Sequence, residues 1–121
     1  MPRIIQRIGK QLFLRRVQHA RSFAQRFMGL MGVSPRAFDY ALVFHLHEPG
    51  KISASIHMLF MRFPIDVLFL DAQRRVVDCV ESLPPWTLNY TPSHEAAFIV
   101  ELPAGTIRKH HITRHTPINW T

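Results

Sequence analysis

Ile65-Asp66-Val67-Leu68-Phe69-Leu70 is followed by the polar segment Asp71-Ala72-Gln73-Arg74 and then by Arg75-Val76-Val77-Asp78-Cys79-Val80. Two runs rich in β-branched, aromatic and other apolar residues around a short polar segment predict a β-hairpin. Leu83-Pro84-Pro85-Trp86 ends the second run, because proline brings no N–H to a ladder, and Thr87 to Glu95 reads as a long loop. Upstream, Tyr40 to Leu46 predicts a strand ending at the turn Glu48-Pro49-Gly50-Lys51. Ser53 to Met61 predicts another, set off from Ile65 to Leu70 by Arg62-Phe63-Pro64. Downstream, Ala96 to Glu101 is a further strand and Ala104 to His110 a short helix.

The N-terminal part adds a hairpin and a helix. Ile4 to Ile8 and Gln11 to Val17 flank Gly9-Lys10, and the arginines on both runs guard an exposed edge. Ser22-Phe23-Ala24-Gln25 has the form of a capping box. Phe23, Phe27, Leu30 and Met31 then fall at helical spacing, with Gly32 as C-terminal cap and Arg21 and Arg26 on the other side. There is no internal repeat and no linker. The reading is one domain over residues 1–121, mostly β with one or two short helices, built as a compact sandwich, jelly roll or barrel.

Composition narrows the function classes. The chain has 121 residues, 47% of them hydrophobic, with nine Phe and two Trp, which is globular and enough for a single core. Cys79 is the only cysteine, so no intrachain disulfide forms and a reducing cytoplasm is expected. Its place in the run Val76 to Val80 predicts packing rather than nucleophilic chemistry. The first residues are interrupted by Arg3 and Arg7, and Ile56 to Leu70 by His57, Arg62, Pro64 and Asp66. Neither a signal peptide nor a membrane span is expected.

The net charge of +7 is uneven, since all eight acids lie between Asp39 and Glu101 while both ends are basic. A basic face would attract polyanions, although excess charge also serves solubility. Arg15, Arg16, Arg21 and Arg26 interleave with Phe13 and Phe23, a mixture that suits nucleic-acid phosphates and bases.

Four blocks, in order, carry a resemblance: Arg26 to Gly32, Phe63 to Asp71, Pro84-Pro85, and Glu101 to Thr106. From about Ala20 to Ile112 the chain resembles the uncharacterised family called domain of unknown function one hundred and ninety-two. The resemblance implies a compact, mostly β fold of sandwich or jelly-roll type and supplies no catalytic residue. Three positions depart from the family pattern. His57-Met58-Leu59-Phe60 stands where members often have Trp-Met-Lys-Asn, Trp86 where many have Cys, and His115-Thr116 where a Gly-Asp turn is usual.

The residues then suggest where a site would lie. Arg26, Asp66 and Glu101 are the charged members of three blocks and read first as an ion network, since a buried charge must be paired. His57, Met58, Asp66, Pro84, Pro85, Trp86 and Glu101 are the candidate pocket for an unidentified ligand, with an aromatic on the Pro-Pro loop as a wall. His45 and His47 alternate and His57 lies on a neighbouring predicted strand. The apolar residues between them and the lack of an evident partner to orient the imidazoles argue against zinc, so no metal or cofactor is expected. No hydrolase elbow or phosphate-cradling loop is present. The expectation is a non-enzymatic binding module; the alternatives are nucleic-acid binding through the basic face and a small hydrolase or isomerase using His57 with Asp66 or Glu101.

Overall fold

The computed structural model describes residues 4–22, 25 and 28–120. Among these residues eight strands form two sheets: β1 (Ile5–Ile8), β2 (Gln11–Leu14), β3 (Val17–Ala20), β4 (Ala41–Gly50), β5 (Ile65–Leu70), β6 (Val76–Leu83), β7 (Ala96–Pro103) and β8 (Ile118–Asn119), with a short helix α1 (Thr106–Lys109). The smaller sheet has the order β1-β2-β8 and the larger β3-β4-β7-β5-β6. The expected mostly β fold is therefore present, as two mixed sheets.

The opening hairpin forms as its pattern requires. Asp71 Oδ1 accepts the N–H groups of Gln73 and Arg75, both at 2.9 Å, which closes the polar segment between β5 and β6. β5 is central, between β6 and β7, and all six of its residues are buried. Its alternation sends Ile65, Val67 and Phe69 into one core and Leu68 and Leu70 into another. The second core lies between the sheets, where Ile5, Leu12, Leu14 and Ile118 meet Val43, Leu68, Val100 and Leu102. The first is covered by irregular chain carrying Leu30, Phe38, Ala54, Ile56, Met58 and Met61.

Three expectations change. The strand expected over Ser53 to Met61 is a loop, whose links to the Thr87–Glu95 segment include an isolated antiparallel bridge between Ile56 and Tyr90. Its apolar residues face a core without a ladder, which is why the run imitates a strand. The second run of the N-terminal hairpin ends at Leu14. Arg15 and Arg16 bend the chain, and Val17–Ala20 joins the other sheet in parallel with β4. The helix after Ser22 gives way to turns at Gly29, where φ is 45°, rather than at Gly32.

The capping box itself is present. Gln25 N–H donates to Ser22 Oγ at 3.1 Å, while Gln25 Oε1 accepts the Ser22 N–H at 3.2 Å and the Arg21 N–H at 2.8 Å. Phe23, Arg26 and Phe27 lie outside the described residues.

Candidate functional site

On β7 the alternation turns Ile99 and Glu101 toward the loop-covered core and Val100 and Leu102 toward the other sheet. Register sets Glu101 beside Leu42 of β4 and Val67 of β5, so the carboxyl stands in the middle of an apolar surface. The residue is 5% exposed. Over it lies a cavity of about 340 Å³ whose apolar wall includes Met28, Leu30, Met31, Phe44, Met61 and Ile99. Among the described residues, Ser53, Ser55, His57 and Glu101 are its polar side chains.

Most of this polarity is already committed. Ser53 Oγ donates to the Glu48 carbonyl at 3.2 Å, Ser55 Oγ and Thr91 Oγ1 are 2.7 Å apart, and His57 Nδ1 accepts the Leu59 N–H at 3.1 Å. Glu101 differs: among the described residues no side chain or amide hydrogen-bonds to its carboxyl. Burial without a partner pushes its pKa up to about 8. At neutral pH the group is mostly a carboxylic acid, able both to donate and to accept.

Of the seven residues expected to line a pocket, His57 and Glu101 do so. Met58 is fully buried in the core beside the cavity; its N–H donates to the Thr87 carbonyl and its carbonyl accepts the Trp86 N–H, both at 2.7 Å. Pro84 and Pro85 lie in that outer loop, where the Pro84 carbonyl accepts the Thr87 hydroxyl at 2.8 Å. Trp86 is 56% exposed, at φ 66°, with its ring edge-on to Phe60 at 5.1 Å.

Asp66 lies on the opposite face of the sheet. Its Oδ1 accepts the Ser82 N–H at 2.9 Å and its Oδ2 the Ile107 N–H at 2.8 Å. This carboxylate ties β5 to the end of β6 and to α1, and it joins no ion network with Glu101. Gly105, at φ 94°, makes the left-handed turn that presents the Ile107 amide to it.

The arginines expected to meet polyanions are partly engaged. Arg15 donates to Gln6 Oε1 at 2.9 and 2.6 Å and stands 5.5 Å from the Phe13 ring centre. Arg16 pairs with Asp39 at 3.2 Å. Arg21 is exposed, and Arg26 lies outside the described residues.

Two features went unread in the sequence. One is the methionine wall, drawn from the segment before β4 and the loop before β5, which no local spacing unites. The other is a histidine pair, His19 Nδ1 and His45 Nε2 at 2.7 Å, which requires the parallel β3–β4 pairing. Burial first, then the Arg21 and Arg74 charges, holds both imidazoles below the ordinary histidine pKa. Arg74 caps the group, its guanidinium 3.7 Å over the Trp120 ring. His45 thus faces the core between the sheets and His57 the cavity on the other side, and among the described residues no cluster of three metal-ligating side chains exists.

A model of the family described as Uncharacterized ACR, domain of unknown function 192, matches residues 4–120. The chain is 43% identical over 106 residues to a UPF0127 protein of Thermococcus kodakarensis, a match covering 88% of this chain and 65% of the relative. It is 44% identical over 99 residues to a UPF0127 protein of Pyrococcus furiosus, covering 82% and 80%. Among solved structures, a Novosphingobium aromaticivorans protein of unknown function is similar with a TM-score of 0.79 at 19% identity, covering 92% of this chain and 79% of that one. A Sinorhizobium meliloti protein described as a candidate transcription regulator is similar with a TM-score of 0.75 at 24% identity, covering 82% and 76%. At these identities the structural likeness concerns the fold.

Proposed function

This chain belongs to the Uncharacterized ACR family, domain of unknown function 192, a membership that assigns no activity, and from that premise we propose a binding module for a small molecule seated in the Glu101 cavity. The observation that carries the reading is an apolar cavity of about 340 Å³ with one buried carboxyl that has no partner among the described residues. A largely apolar enclosure with few polar groups is the usual form of a small-ligand site. Leaving a buried polar group unsatisfied costs about 1–3 kcal/mol, which a ligand group bonding to it would recover.

The test uses 3-ethylindole as an apolar probe in calorimetry and thermal unfolding. Saturation at about 100 times Kd is expected to stabilise the fold by ~2.7 kcal/mol. Met31→Trp, which fills the cavity from a half-buried position, is expected to abolish the effect. Neither heat of binding nor a rise in Tm from the probe would reject the reading.

Two other functions have a narrower basis. His57 and Glu101 line one cavity, and a carboxyl with a pKa near 8 suits general acid chemistry at neutral pH. A hydrolase or isomerase would rest on that pair, since both oxygens of Asp66 are occupied by amides. Glu101→Gln separates the cases, because a binding site keeps its apolar ligand whereas a general acid loses turnover. The polyanion reading keeps Arg15 beside Phe13, with Arg21 exposed nearby. Fluorescence anisotropy of labelled RNA and single-stranded DNA at two salt concentrations tests it, with a log–log slope of about −0.7 per phosphate contacted. A flat salt response with weak binding at low salt leaves the charge as a solubility feature.

No helix among the described residues is long and apolar enough to cross a membrane. The single Cys79 supports placement in a reducing cytoplasm, and burial together with Asp78 pushes its thiol pKa up, away from the reactive thiolate.

A further inference from the structure

We propose that the cavity takes an organic amine, its cationic nitrogen set against the Glu101 carboxyl and an apolar body of roughly ten to fifteen non-hydrogen atoms lying along the methionine wall. This rests on the cavity being the ligand site, and it specifies the ligand's chemistry.

Size comes first. An apolar cavity of about 150 Å³ holds one benzene ring, so about 340 Å³ has room for a body about twice as large. The wall is adaptable and polarisable, since Met28, Met31, Met61 and Phe44 all line the cavity. Sulfur set against an aromatic face is favourable, which suits a flat aromatic body.

Charge selects the head group. No Lys or Arg is among the described residues lining the cavity, so among them a carboxylate or phosphate head would meet the Glu101 carboxyl without a lysine or arginine to offset its charge. The serine hydroxyls are engaged with Glu48 and Thr91 and His57 Nδ1 accepts the Leu59 N–H, so the Glu101 carboxyl is the anchor. An alcohol or amide head gains one neutral hydrogen bond there. An ammonium gains a charge-assisted bond, which is about twice as strong and stronger still away from water.

The proton balance fixes a signature. When an ammonium seats against Glu101, the carboxyl proton leaves to solvent and the carboxylate remains paired. Binding then competes with protonation, and apparent affinity rises with pH until the free carboxyl is ionised at about 8. The other titratable groups near this face are His57 in the cavity lining and Tyr40, whose pKa burial raises together with Asp39 and Glu101. The flanking strands contribute Leu42 and Val67, which do not titrate.

The experiment is calorimetry on the full chain with tryptamine, its alcohol analogue tryptophol, and 3-ethylindole, between pH 6 and pH 9. Tryptamine is expected to bind at least about tenfold more tightly than tryptophol at pH 8. Its affinity should rise about tenfold per pH unit below pH 7.5 and level off near pH 8. Glu101→Gln should remove both the amine preference and the pH slope. Equal binding of tryptamine and tryptophol, or a tryptamine affinity independent of pH, overturns the amine assignment and leaves the cavity reading standing. If none of the three binds, or Met31→Trp leaves their binding unchanged, both readings are overturned.

Discussion

Asp66→Ala is expected to lower stability by about 2–4 kcal/mol, seen as an earlier urea midpoint with an unchanged slope. The wild-type carboxylate is fully buried and accepts two backbone N–H groups from segments far apart in sequence, Ser82 and Ile107. Removing it strands both donors, and the buried Ile107 amide carries the larger share because water replaces its partner least easily. The chain also loses the clasp that holds α1 against β5. Asp66→Asn should fall between, since its one carbonyl oxygen can serve one amide while its NH2 faces the other donor. A loss below about 1 kcal/mol for the alanine variant would show that solvent satisfies these amides and that the clasp is dispensable.

Glu101 is expected to give stability an alkaline slope that Glu101→Gln removes. The folded-state pKa is raised to about 8 from an ordinary value of 4.5. Between those values the unfolded chain has released a proton that the folded chain keeps, so stability falls as pH rises. The contribution is fully present below pH 4.5, declines through the window and is gone above about pH 8. Integrated over that window it amounts to on the order of 5 kcal/mol. Urea unfolding from pH 4 to pH 9 reads it directly. The glutamine variant should match wild type near pH 4 and exceed it at pH 8. Parallel curves for the two proteins would mean that Glu101 ionises freely in the fold and that the cavity is wet.

What the sequence made legible was local. The β5–β6 hairpin, the capping box at Ser22 and the helix after Gly105 are each written in neighbouring residues, and each is present in the fold. The Ser53–Met61 segment misled because burial against a core produces the same apolar pattern with or without a ladder. β3 was hidden because Val17–Ala20 finds a parallel partner in β4, and parallel pairing has no turn to announce it. Little of the cavity lining was legible, for the same reason. Glu101 was named from its block and His57 from a position that departs from the family pattern, but Asp66 and Glu101 face opposite sides of the sheet, which depends on the register of three strands. The methionines that complete the cavity come from segments whose meeting is purely tertiary.

The pairing of β2 with β8 bears on how the chain reaches this state. Gln11 and Asn119, 108 positions apart, are joined across the smaller sheet, and Leu12 lies opposite Ile118 in a parallel register. Closing so long a loop consumes entropy before the contact can stabilise anything. On a ribosome, the N-terminal hairpin therefore waits with an open edge and the apolar faces of Ile5, Leu12 and Leu14 uncovered until Ile118 has emerged. The larger sheet contributes the other half of that core and also forms late, since β4 and β5 meet only through β7. Assembly is thus coupled to the arrival of the C-terminal strands.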